Sequence, residues 1–119
     1  MSEPAAPALR GHLEVRQAVV DRVARLAALE VDGVLTGETG LLDLRHLPAV
    51  RTRVDGRRTT IAIDVAVAWG IPLAQVAAEV RGHVRERVRT LAGTEVAAVD
   101  VTIEHVVRPQ DAQARRRVR

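Results

Sequence analysis

Between Val50 and Val107 the apolar residues recur first at every second position, then at helical spacing, then at every second position again. Few small folds accommodate that order. Val50, Thr52 and Val54 alternate with Arg51 and Arg53, and Asp55-Gly56 supplies the turn signal of a hairpin. The return strand is expected from about Thr59 to Trp69, with Ile61, Ile63, Val65, Val67 and Trp69 on one face. Gly70-Ile71-Pro72 ends it and opens a helix, because proline at a helix start lacks only an N–H that would have no partner there. Leu73, Val76, Ala77, Val80, Val84, Val88 and Leu91 form the apolar stripe of that helix, and Gly93 stops it. Gly82 lowers helix propensity by ~1 kcal/mol against Ala and predicts close packing at that point. A last strand follows, with Val99, Val101, Ile103, His105 and Val107 on its apolar side.

Upstream the pattern is less regular. Residues 1–8 are rich in Pro and Ala and are expected as a flexible lead. Leu9, Gly11, Leu13 and Val15 alternate with polar residues, which predicts a short strand. From Arg16 the spacing becomes helical through Val19, Val20, Val23, Leu26, Ala27 and Glu30, and the helix should end before Asp32-Gly33. Residues 33–48, punctuated by Gly33, Gly37 and Gly40, predict a short strand at 31–36 and then a mobile connection. Helices with one apolar stripe and strands with one apolar face imply an α+β two-layer sandwich. Its small mixed β-sheet carries two main helices packed on one face, and the last helix would form a crossover between parallel strands. The expected organisation is a single domain at 9–107 with a basic, disordered tail at 108–119.

Function classes are constrained by what is missing. The chain has no Cys, Lys, Tyr or Phe, and its one Ser is Ser2. Covalent catalysis needs a thiol, an activated hydroxyl or an amine, so the expectation is a protein that binds rather than an enzyme, with no catalytic residues and no cofactor. His12, His46, His83 and His105 show no metal-binding spacing, and no metal is expected. Asp64, mid-strand among apolar residues, is read as facing solvent or an Arg of the neighbouring hairpin strand rather than as a catalytic acid. Gly33, Gly37 and Gly40 feed no clear helix and so make no phosphate cradle. The N-terminus has no signal-peptide pattern, and Val65 to Ala78 falls short of a membrane span. A cytoplasmic protein is expected, peripheral at most to the inner face of the membrane.

All eighteen basic residues are Arg. Residues 108–119 carry a net charge of +4, and residues 1–107 a net charge of −1. The candidate contact residues are Arg81, Arg85 and Arg89, spaced along one helix face, with Arg115, Arg116, Arg117 and Arg119 of the tail. Single-strand nucleic-acid readers stack bases on aromatic platforms, and Trp69 is the sole aromatic here. No specific nucleic acid is therefore expected.

Taken in order, these blocks resemble the bacterial alkaline-shock, or cell-envelope stress response, family. The resemblance runs from Gly11-His-Leu-Glu-Val through Glu30-Val-Asp-Gly33-Val34 to Ile61-Ala-Ile-Asp-Val-Ala-Val-Ala-Trp-Gly70-Ile71-Pro72. It continues through Val76 to Ala92-Gly93, and Glu95-Val96 to Val99-Asp100-Val101. Trp69 stands where the family more often has Tyr. The resemblance implies a non-enzymatic stress-response protein held near the cytoplasmic face of the membrane by a protein partner, with self-association as a further mode and no direct insertion. The alternatives are a nucleic-acid-associated protein using the basic tail, or an accessory subunit of an enzyme.

Overall fold

The computed structural model describes residues 6–39 and 42–109, with side chains described over 11–37 and 43–109. The expectations for residues 1–5 and for the tail from 110 onward lie outside the described residues. The hairpin is as the alternation predicts. Strand β4 (Ala49–Asp55) turns through Gly56, at φ 63°, into β5 (Arg58–Ala68). The two pair antiparallel from Ala49 opposite Asp64 to Asp55 opposite Arg58. Helix α2 (Leu73–Arg87) follows, then a π-helical turn (Val88–Ala92), then strand β6 (Glu95–Val107) parallel to β5 along its whole length. The short strand β1 (Val34–Leu35) pairs antiparallel with Ala66 and Val67. Because β6 occupies one edge of β5 throughout, β4 and β1 lie end to end along the other. β5 is thus the centre of a mixed sheet.

Both helices cover the same face. Ile61, Ile63, Val65 and Val67 of β5 meet Val76, Val80 and Val84 of α2 and Val88 of the π-helical turn, together with Val20, Ala24, Ala27 and Ala28 of helix α1 (Ala6–Leu29). The buried alanines leave room for helix α1 to lie close to its neighbours. The expected two-layer α+β sandwich is therefore present.

The strand expected at Leu9–Val15 is absent. Helix α1 runs unbroken over Ala6–Leu29, 24 residues, and it begins inside the stretch expected as a flexible lead. Four alternating apolar residues are too few to outweigh a segment rich in Ala, Leu, Arg, Glu and Gln, all good helix formers. Pro7 in the first turn removes no intrahelical hydrogen bond.

The expected mobile connection is also corrected. Strands β2 (Gly37–Thr39) and β3 (Leu42–Leu44) pair as a small separate hairpin. Leu44 and Leu47 are buried with Ala66 and Val107 on the sheet face opposite the helices. A bulge makes this second core. Ile103 pairs with Val65 but His105 pairs with Ala66, so Glu104 is extra in β6. The inserted residue reverses the alternation: Val106 now shares the helix-covered face with Val67, and Val107 turns to the hairpin side beside Ala68. His105, expected on the apolar face, is turned outward by the same slip and lies 3.5 Å from Glu104. Thr36 Oγ1 donates to the Leu47 carbonyl at 3.0 Å and ties the hairpin to β1.

Candidate contact surface

The candidate arginines are not brought together as one free cationic face. Arg89 forms a bidentate ion pair with Glu86, from Nε to Oε2 at 3.0 Å and from Nη2 to Oε1 at 2.9 Å, one helical turn away. Arg81 and Arg85 are exposed and have no ion-pair partner among the described residues. Arg115, Arg116, Arg117 and Arg119 lie outside the described residues.

On the opposite flank of α2, Arg87 reaches Glu30 at the end of α1 at 3.3 Å, and His83 Nε2 lies 2.5 Å from the same carboxyl. The His83 hydrogen bond, opposed by partial desolvation and helped by the Arg87 charge, holds Glu30 below the usual carboxylate range. Glu30, Asp32, Glu79, Gly82, His83 and Glu86 line an open cleft of ≈ 490 Å³. No atom lies within 4 Å of where a Cβ on Gly82 would stand, so the expected close packing there is corrected to open space.

Asp64 behaves as its position on the outer sheet face predicts. Arg51, on β4, grips both of its oxygens at 2.9 Å and 3.2 Å, and that bond holds Asp64 below the usual range against the opposing effect of desolvation. A second ion pair, which the sequence does not foreshadow, joins His46 to Glu104 at 3.2 Å across the hairpin and β6. Thr52 Oγ1 donates to Asp21 and ties α1 to β4. Among the described residues no three His, Asp or Glu side chains converge as metal ligands. No buried side-chain N or O there lacks a hydrogen-bond partner. Among the described residues the lowered carboxylates Glu30, Asp43 and Asp64 each sit in an ion pair, with His83 and Arg87, with Arg45, and with Arg51.

What remains uncovered is apolar. Val15, Val19 and Leu26 are 65%, 43% and 49% exposed. At about 100° per residue they fall within roughly 40° of one another on α1, with Arg22 in the same row. Leu26 stands as a ridge between two clefts. One is lined by Val23, Glu30, Arg87 and Leu91, the other by Asp21, Arg22, Arg25 and Val50. Leu91, expected in the buried stripe of α2, is 61% exposed. The π-helical turn advances the phase so that Ala92 meets the core instead, and Leu91 adds to the ridge beside Leu26. From Gly11 to Val19 only Gln17 is even partly buried, so this half of α1 stands clear of the body.

Two further corrections fall at the other end of α2. Leu73 is half-exposed, one turn ahead of the first buried valine. Trp69, expected in the core, is 56% exposed because β5 ends at Ala68 and Gly70 reverses the chain at φ 94°. Its backbone N–H donates to the Val107 carbonyl at 2.8 Å, and the Arg108 guanidinium lies over the indole, 4.7 Å from the ring centre.

The model of the alkaline shock protein family, described as having a cell envelope-related function, matches residues 6–108. No curated protein sequence matches the chain. Among solved structures, a doubly substituted MamM-CTD is similar at 22% identity, covering 80% of this chain and 95% of that one with a TM-score of 0.48. A singly substituted MamM-CTD is similar at 19% identity, with coverages of 74% and 95% and a TM-score of 0.48. No described helix is long and apolar enough to cross a membrane.

Proposed function

The chain belongs to the alkaline shock protein family, whose function is cell envelope-related, and on that premise we propose that it acts without catalysis, by protein–protein contact near the cytoplasmic face of the membrane. The observation that carries this reading is the uncovered apolar row on α1. Val15, Val19 and Leu26 occupy one helix face, and Leu91 extends it across the neighbouring cleft. Exposed apolar side chains set on one helix face and interspersed with charge are typical of contact surfaces. Arg22 and Arg25 flank Leu26 with no ion-pair partner among the described residues. The fitting partner therefore presents an apolar helix or strand edge with carboxylates beside it. The lack of Cys, Lys and Tyr and the accounting of Glu30 and Asp64 as ion pairs support a non-enzymatic role.

The test is photo-crosslinking in living cells, with a photoreactive residue at Val19 or, as a control, at Arg81. Capture of one membrane-anchored protein from position 19 and not from position 81 supports the reading. Capture from position 81 alone, or from neither, overturns it.

A further inference from the structure

The end of the domain opposite Leu91 carries a different kind of surface. β5 and β6 both finish there, and the chain's sole aromatic, Trp69, lies more than half exposed where a core residue was expected. Its backbone is fixed by the Val107 carbonyl, and its ring carries Arg108 on one face. Leu73 is half-exposed one turn away. Between Asp64 and Glu79 the sequence has no charged residue. Pro72, the N-cap of α2, provides no side-chain hydrogen bond, and the first turn of that helix has no acid, so the helix itself does not neutralise its positive end. Beyond Arg108 the sequence adds Arg115, Arg116, Arg117 and Arg119.

We propose that this end docks on the surface of an anionic bilayer, with the Trp69 indole in the headgroup layer and the Arg108 guanidinium on lipid phosphates. Indole combines a large apolar face with one N–H donor, which suits it to the membrane–water boundary. A guanidinium stacked on that ring is held where it meets phosphate as the ring enters, and it can pair with phosphate through two N–H groups. The charge balance selects an anionic layer over a neutral one. This contact uses neither Val19 nor Leu26 and stands independently of the α1 contact.

Trp69 is the only aromatic residue, so intrinsic fluorescence of the full chain reports this site alone. Vesicles of equal parts phosphatidylglycerol and phosphatidylcholine should shift its emission to the blue, and pure phosphatidylcholine or soluble glycerol phosphate should not. In vesicle co-sedimentation Trp69→Ala should weaken binding on the order of tenfold, from the apolar area lost. Arg108→Gln should weaken it about fivefold. Both residues are exposed, so both variants should melt with the parent. Equal sedimentation of the parent and Trp69→Ala would mean that arginine charge alone does the binding, and would overturn the proposal. No blue shift with anionic vesicles would overturn it too. A blue shift on concentrating the protein without lipid would assign the surface to a second copy and reject the bilayer.

Discussion

Val76, Val80 and Val84 on α2 with Val88 just after it, and Val15, Val19 and Leu26 on α1, are both apolar series at helical spacing, and only the first is covered. The α2 series lies on β5 with each side chain essentially removed from water. The α1 series lies on the far side of a helix whose inward face, Val20, Ala24, Ala27 and Ala28, already satisfies the core. Burial of apolar area stabilises by ~25 cal/mol per Å², so the α2 stripe contributes to folding. The α1 row has that contribution still available, to a partner. Spacing alone does not separate a folding face from a contact face; the cover does.

The contrast is broken most severely from the covered side. Ile63→Ala should destabilise by about 2–4 kcal/mol, and Val84→Ala by somewhat less, because each leaves a cavity between sheet and helices. Denaturant titration measures both, and neutral results would mean that the faces are assigned wrongly. Leu47→Ala tests whether the second core belongs to the same cooperative unit. It should cost about 2 kcal/mol if it does, and should leave the midpoint unchanged if the hairpin opens separately.

Gly82→Ala has the opposite sign. With open space above Gly82 and ordinary helical backbone there, the variant should be more stable by about 0.5–1 kcal/mol. A loss of stability would restore the close packing first expected of it.

The smallest effect is with pH. Glu30 and Asp64 have folded pKa values below their usual 4.5 and 3.8. Each therefore contributes stability above those values, and the contribution disappears as the pH falls through the folded values. Melting temperature should decline below about pH 4.5. His83→Gln and Arg51→Gln should each flatten part of that decline. Each pair is in contact with solvent through Arg51 or Glu30, so the change is small.

The central part of this fold was legible because its apolar residues alternate over long runs. Seven residues of β4, eleven of β5 and the valine series of α2 leave one choice of face each. Asp64 was legible as well, since its position diagonal to Arg51 on the neighbouring strand makes an ion pair the ordinary outcome. The errors share a cause: one residue, or one turn, changes the phase. The extra Glu104 reverses β6 and creates the pocket for Leu44 and Leu47, and no local sequence signal marks that bulge. The π-helical turn moves Leu91 out and Ala92 in. Strand β5 ends one residue before Trp69, which turns a core assignment into a surface one. The four-residue alternation at Leu9–Val15 fits either period, and composition decided for helix. The uncovered row on α1 was not legible in the spacing either. Helical spacing puts Val19 and Leu26 in one series with Val20 and Ala27, whereas α1 has two apolar rows and the core needs only one.

That division of labour between two rows of one helix is most directly tested by Val19→Asp combined with Leu26→Asp. Thermal melts and association with the partner proposed above would be measured on the same protein. The melting temperature should remain within a few degrees of the parent, since neither side chain supports the core, with each substitution worth about 0.5 kcal/mol or less. Association should be lost. A collapse of the melting temperature would show that the row is part of the folding core, and intact association would show that the protein meets its partner elsewhere.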